Sequence, residues 1–461
     1  MNRPGERVVV GGTVAALVAA DGLAARGEPV RLLLPRTGVG GGFMPRQRGG
    51  RSLELGLRAL ELDYEGTTAP PLASYRVRDG GHRPFVSMID AWVRDLVPPD
   101  ALVELPPARM FLAGRSVPEA FISSDLTGAH RWVPGAVAHR VAAEAAARVA
   151  DGGAAGWLAP SASAQLAGAD LETASIHQHG PTFHRLLMEP FLAKLRPAGG
   201  RDVAAELRRK LWVPLFWPVT VAEAFGGERP AFRPHRPAVV VREGGGIGPV
   251  VVALLARLRR RGVHVHQHDG VRALAPSGSA VAITLADGTD LLATRPVLAL
   301  SAGELFGALD IDYRPARVRS VIAWVAARED DVRETPGFVH VVDADVPAYR
   351  VTPAPADDSG TRVFCVELAH DVAEGAAAEV AAAVVTRLGL VREGTQLVDV
   401  AVFAGPTFAD PTADTLRAHR AAAEQLAGLE LPAAVLGGAL AFGSDTFNEQ
   451  VVQGLHVAAT W

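Results

Sequence analysis

Val8-Val9-Val10-Gly11-Gly12-Thr13-Val14-Ala15-Ala16-Leu17 opens the stretch that decides the fold. An alanine-rich helical pattern follows to about Gly27, then Val30-Arg31-Leu32-Leu33-Leu34-Pro35-Arg36, and the stretch closes on Gly40-Gly41-Gly42. Apolar β-formers entering glycines, a helix and a second apolar strand predict a βαβ unit. Its strand-to-helix turn can lay a pyrophosphate on backbone N–H groups. The dinucleotide fingerprint Gly-x-Gly-x-x-Gly/Ala maps onto Gly11, Thr13 and Ala16. Alanine serves in the third place, but the second glycine lets the backbone approach the pyrophosphate, and a Thr13 Cβ intrudes there. An acid for the ribose hydroxyl is due at the end of the second strand, where Leu34 stands. A hydrogen bond to a charged group is worth roughly 1.5–3 kcal/mol. That loss alone weakens a nucleotide about tenfold to a hundredfold.

Around this stretch lie 461 residues, 49% hydrophobic and 21% charged, a length that suggests two or three domains with a large core. A formal net charge of -4 leaves no basic footprint, so nucleic acid and anionic membrane surfaces are not expected partners. Cys365 is the single cysteine, which excludes an intramolecular disulfide and a multi-cysteine metal site. Its setting in an apolar β pattern reads as a buried thiol. The N-terminus shows no leader pattern, and no apolar run is long enough for a membrane helix, so the expected location is the cytoplasm.

Beyond Gly42, Arg51-Ser52-Leu53-Glu54-Leu55-Gly56 reads as a short alternating strand. Residues 58–227 read as an insert with helical runs at 137–149 and 203–210. Trp212, Phe216 and Trp217, spaced by Pro214 and Pro218, form a stiff apolar wall, either core or the lining of a substrate pocket. Val239-Val240-Val241, the glycines around Gly244-Gly245-Gly246-Ile247-Gly248 and a helix to about Arg261 read as a second βαβ-like element. It returns the chain to the first sheet, which residues 271–274, 281–285 and 297–300 continue. His264, His266 and His268 share one face of the returning strand. Neighbours on one strand rarely converge on one ion and no acid completes the set, so no metal is expected and the face reads as solvated or lightly packed. His177, His179 and His184 form a looser group that reads as surface or capping residues, with contact of one of them to substrate as the alternative. Residues 317–404 alternate strands around one helix, as in an α+β substrate domain. Gly437-Gly438 and the helix start at Asn448-Glu449-Gln450 again offer backbone amides to an anion or a cofactor ring.

In this order the motifs resemble the flavoprotein superfamily of flavin amine oxidases, protoporphyrinogen oxidase, phytoene desaturases and UDP-galactopyranose mutase. The resemblance implies an α/β fold: a discontinuous Rossmann-like FAD/NAD(P)-binding domain from residues 1–75, 236–305 and 425–461, and an α+β substrate or cap domain from 76–235 and 306–424. It implies FAD, with Gly11 and Gly12 at the pyrophosphate beside Thr13 and Ala16. Leu34 and Arg36 would lie near the adenosine, Gly40, Gly41 and Gly42 along the ribityl chain and flavin edge, and Val271 on the adenine. Gly437, Gly438, Asn448, Gln450, Val451 and Gly454 would approach the pyrophosphate and isoalloxazine. Thr13, Ala16, Leu34 and Gly438 depart from the family pattern, and all four touch the nucleotide half.

The activity implied is an FAD-dependent oxidation of a small, largely apolar molecule, with homodimerisation left open. No general base stands out; Tyr349 and Arg350, on a short strand of the substrate domain, are the candidates for groups facing the flavin, Arg350 as a clamp for an anionic group. The departures motivate a different expectation, that the fold has lost FAD and its cleft isomerises or binds a substrate without redox chemistry, or serves as an assembly partner. Nicotinamide in place of FAD is weaker, since Leu34 removes the ribose acid for that cofactor as well.

Overall fold

Val9, Val10, Leu32 and Leu33 are fully buried, because their strands lie in a parallel sheet covered on both faces, where continuous apolar runs are the rule. The computed structural model describes residues 5–62, 74–76, 82–152, 168–230, 238–242, 246–443 and 445–461. In chain order the strands of its two large sheets are β1 (Arg7–Val10), β2 (Val30–Pro35), β3 (Arg109–Leu112), β4 (Arg115–Pro118), β5 (His264–His268), β6 (Val297–Leu298), β7 (Arg317–Arg328), β8 (Val339–Val341), β9 (Ala348–Ala356), β10 (Thr361–Leu368), β11 (Val398–Ala409) and β12 (Ala434–Val435). The helices that bear on the site are α1 (Val14–Ala25), α2 (Gly248–Arg260), α3 (Ala413–Gly428) and α4 (Phe447–Thr460).

Strands β5-β2-β1-β6-β12 form an all-parallel sheet, so three distant stretches of chain meet in one layer. Strands β4-β3-β8-β9-β10-β7-β11 form the second sheet, antiparallel except where β8 runs alongside β3. The fold is therefore α/β, a Rossmann-like layer beside an α+β unit. Helix α1 is buried along most of its length because its small residues admit other helices closely. A Cβ on Gly454 of α4 would sit 2.7 Å from Val18 Cβ and 2.9 Å from Ala15 O, and one on Gly22 of α1 would sit 2.4 Å from Ala458 Cβ. Arg257 of α2 closes the third side on buried Asp21 of α1, at 2.7 Å.

Three expectations are corrected. The strand Ala238–Val241 does not join the parallel sheet; it pairs antiparallel with Leu60–Glu61 and Leu102–Glu104. Residues 271–294 form a separate three-stranded antiparallel sheet rather than continuing the first. An apolar run specifies a strand but not its partner, so both errors arise from tertiary pairing. The histidine face on β5 is not uniformly solvated: His264 is exposed, but His268 is buried and its Nδ1 accepts from Gly270 N–H at 3.0 Å.

Candidate active site

A cross-strand pair starts the site. Arg350 on β9 stands opposite Glu367 on β10, and a bulge between Ala348 and Arg350 inserts Tyr349 as the unpaired residue. Side chains of consecutive strand residues ordinarily point to opposite faces. The bulge removes that alternation, so both reach one carboxylate. Tyr349 OH donates to Glu367 Oε1 at 3.1 Å and Arg350 Nη2 donates to the same oxygen at 2.8 Å, while Arg350 Nε takes Oε2. Trp212 covers the pair, its ring 4.2 Å from Arg350 Cζ and stacked on Tyr349. Arg350 Nη1 is buried without a partner.

Residues from the first part of the chain close on this pair. After the strand Arg51–Leu53, the Glu54 carbonyl accepts from Trp324 Nε1 at 2.9 Å and from Cys365 Sγ at 3.5 Å, two residues in register on β7 and β10. Gly56 then passes so near Glu367 that a Cβ would lie 2.7 Å from Oε1. Its φ of +85° suits glycine as well. Gly246, from the glycine turn before α2, lies against Glu54: a Cβ there would be 2.1 Å from Oε1 and 3.3 Å from Arg58 Cβ. Arg58 Nε donates to Gly42 O at 2.7 Å, which ties the glycine run after β2 to the cluster. Both Glu54 carboxylate oxygens are shielded from solvent and have no hydrogen-bond partner.

Burial pushes the Glu54 carboxyl up to about 7, with Arg58 pulling the other way. Burial lowers the Arg58 guanidinium from its ordinary value, against the pull of Glu367 and Glu54. For Arg350 burial acts downward, but Glu367 holds the group above its usual range, so it stays charged. Burial and then Glu367 raise the Tyr349 phenol well above its ordinary value, which leaves it a donor. Burial likewise pushes the Cys365 thiol up, and a protonated thiol is no nucleophile. The cluster thus holds one carboxyl able to carry a proton near neutrality, beside fixed positive charge.

Tyr349 and Arg350 are therefore together, with Trp212, while Phe216 and Trp217 lie elsewhere. Phe216 is core, edge-to-face with Phe183 and accepting from buried His179 through its carbonyl. His179 is thus no surface residue; burial drives its imidazole down to about 3. Trp217 is half-buried at the start of the helix Pro218–Gly226. Glu54, Arg58 and Glu367 were not singled out from sequence. A lone acid in the run Val363-Phe364-Cys365-Val366-Glu367-Leu368 is the signal that could have found Glu367. Nothing in the alternation around Glu54 distinguishes it from an outward-facing strand residue. Two cavities, of about 380 and 250 Å³, open elsewhere. The larger lies against His419, Arg420 and Phe442, where Arg420 is paired with Glu206 and His419 Nε2 donates to Gly438 O. In the Glu54 cluster the Glu54 carboxylate and Arg350 Nη1 are buried without a partner, whereas the polar side chains of that groove are paired.

Set beside solved structures, the whole chain superposes on reduced UDP-galactopyranose mutase with a TM-score of 0.73 at 15% identity, covering 99% of this chain and 93% of that one. The chain shares the fold of that mutase. A fatty acid isomerase from P. acnes that produces CLA (TM-score 0.56, 14% identity, 99% and 98% covered) and putrescine oxidase bound to putrescine (0.55, 16%, 98% and 98%) are similar in the same way. No family model and no curated relative matches the sequence.

Against that fold, the nucleotide end of this chain departs in its side chains. Leu34 is buried in the core that α1 and α2 share. Arg36 is exposed and paired with Asp269 at 3.0 Å. Val271 begins the separate antiparallel sheet. Gly11, at φ +128°, is required because a Cβ would lie 2.3 Å from Ala299 O. Gly40 N–H donates to Gly12 O at 2.7 Å, and Gly41 and Gly42 turn beneath Arg58. Gly437 and Gly438 lie in the turn after β12, while on α4 Val451 packs in the core with α1, Gly454 lies against Ala15 and Val18, and Gln450 meets Ala15 N–H. Ala15 and Ala16 N–H, at the start of α1, are taken by Gln450 and Thr13 side chains. These residues do not fit the adenosine and pyrophosphate of FAD.

Proposed function

We propose that the protein is an enzyme that converts a small, largely apolar molecule by proton transfer without redox chemistry, as an isomerase does. The observation that carries this is the Glu54 carboxyl: buried, unpartnered, and poised near neutral pH beside Arg58. A general acid–base group works best when its pKa lies near the operating pH. Glu54 would give or take the proton, and the unpartnered Arg350 Nη1 would receive the oxygen on which negative charge develops. Tyr349 and Glu367 would hold Arg350 in place, and Trp212 would offer the apolar face. Incubating the protein in D2O with a panel of small unsaturated carbonyl compounds, with no cofactor added, tests the reading. Deuterium incorporation seen by mass spectrometry and lost in Glu54→Gln is expected.

A second reading is a flavin-dependent oxidation of the same class of molecule. The full-length likeness to putrescine oxidase supports it. Turnover that appears only after FAD is added, with electrons passing to an acceptor dye, would favour this second reading over the first.

A further inference from the structure

The first amides of a helix and its glycine turn form an anion seat because their hydrogen-bond partners lie outside the helix. In this chain those partners are side chains of the protein itself. Thr13 is the N-cap of α1: its Oγ1 accepts from Ala16 N–H at 3.3 Å and donates to Ala299 O at 2.9 Å. Gln450 Oε1 accepts from Ala15 N–H at 3.3 Å, and its Nε2 donates to Asp445 O at 2.8 Å. Each side chain is anchored at both ends. Gln453, three residues on and so on the same face of α4, accepts from the Gly437 N–H at 2.6 Å. Both glutamines are buried.

The space around these bonds is closed as well. A Cβ on Gly12 would lie 2.8 Å from Pro35 Cγ, so the end of β2 rests on the glycine turn. Gly454 brings the backbone of α4 to within van der Waals contact of α1 between Ala15 and Val18. We propose that the dinucleotide seat of this fold has become a self-liganded joint, in which Thr13, Gln450 and Gln453 take the amides that a pyrophosphate would take and lock α4 to α1 and to the Gly437 turn. The joint is a matter separate from the chemistry at Glu54, and it stands or falls by its own measurements.

The test uses the full-length protein. Its visible spectrum is recorded as purified, and thermal melts are taken with and without millimolar ADP or FAD. The expected results are no flavin absorbance and no change in Tm, because the Ala15, Ala16 and Gly437 amides already have acceptors within the protein. Gln450→Ala strips Ala15 N–H of its acceptor, and Gln453→Leu does the same to Gly437 N–H; each should lower Tm by about 2 °C or more. Flavin bound on purification, a Tm raised by a few degrees with ADP or FAD, or melts unmoved in both variants would each overturn the proposal. Should either variant fail to give folded protein, the wild-type spectrum and titrations decide it alone.

Discussion

Leu34 shows how one residue changes the meaning of a motif. Its side chain is 6% exposed and packs with Val251 and Leu254 of the neighbouring helix in one core. Leu34→Glu would therefore bury a carboxylate with no partner in place of restoring a ribose acceptor. We expect Tm to fall and FAD affinity not to rise, which a melt and an FAD titration of the variant will check. Glu54 has the opposite problem, a native acid with no partner. Its carboxyl titrates near 7 in the fold against an ordinary 4.5. The folded chain thus holds an extra proton between those values, so this residue costs stability progressively as pH rises from about 4.5 through 7. Glu54→Gln should flatten that slope, making the variant more stable relative to wild type at pH 8 than at pH 5. Melts across that range measure it, and equal differences at both ends would contradict the assignment.

At the scale of elements, close contacts decide what can change. Gly454→Ala puts a methyl into Val18 and Ala15 at under 3 Å and should cost about 1–3 kcal/mol by overpacking the α1–α4 contact. Gly438→Ala meets only the Asp445 side chain, at 3.8 Å, and serves as the control, expected within about 0.5 kcal/mol of wild type. Urea unfolding of the two variants compares them. The β9–β10 pair makes a second element-scale prediction. Arg350→Leu leaves Glu367 buried beside Tyr349 without its cation and should cost about 3–5 kcal/mol. Adding Glu367→Leu should recover most of that, since a buried ion pair replaced whole by apolar groups is close to neutral. Non-additivity in the same unfolding experiment is the readout.

For the molecule as a whole, acid should be the more damaging excursion at the core of the insert. His179 sits with no exposed surface among Phe183 and Phe216, and its imidazole is held down to about 3 against an ordinary 6.5. The unfolded chain binds that proton first, so the contribution of His179 is complete above about 6.5 and is lost as pH falls toward 3. Tm should drop across that window in wild type and less steeply in His179→Gln.

Much of this architecture was legible before any coordinate. Local apolar periodicity and glycine chemistry act within a few residues, so the β1–α1–β2 unit, the strands of residues 317–404 and the C-terminal helix could be placed from the chain alone. The losses at Thr13 and Leu34 were legible for the same reason, because a fingerprint is a local pattern. Partner choice is not local. Which sheet Ala238–Val241 enters and that Arg109–Leu112 joins the large sheet depend on stretches more than a hundred residues apart meeting, and the bulge that turns Tyr349 and Arg350 onto one acid depends on the register of two paired strands. Glu54 is the clearest case. In sequence it is an ordinary acid on an alternating strand, and only in the fold, with Gly246 against its carboxylate and Trp324 and Cys365 on its backbone carbonyl, is the carboxyl buried and its titration moved toward neutral pH.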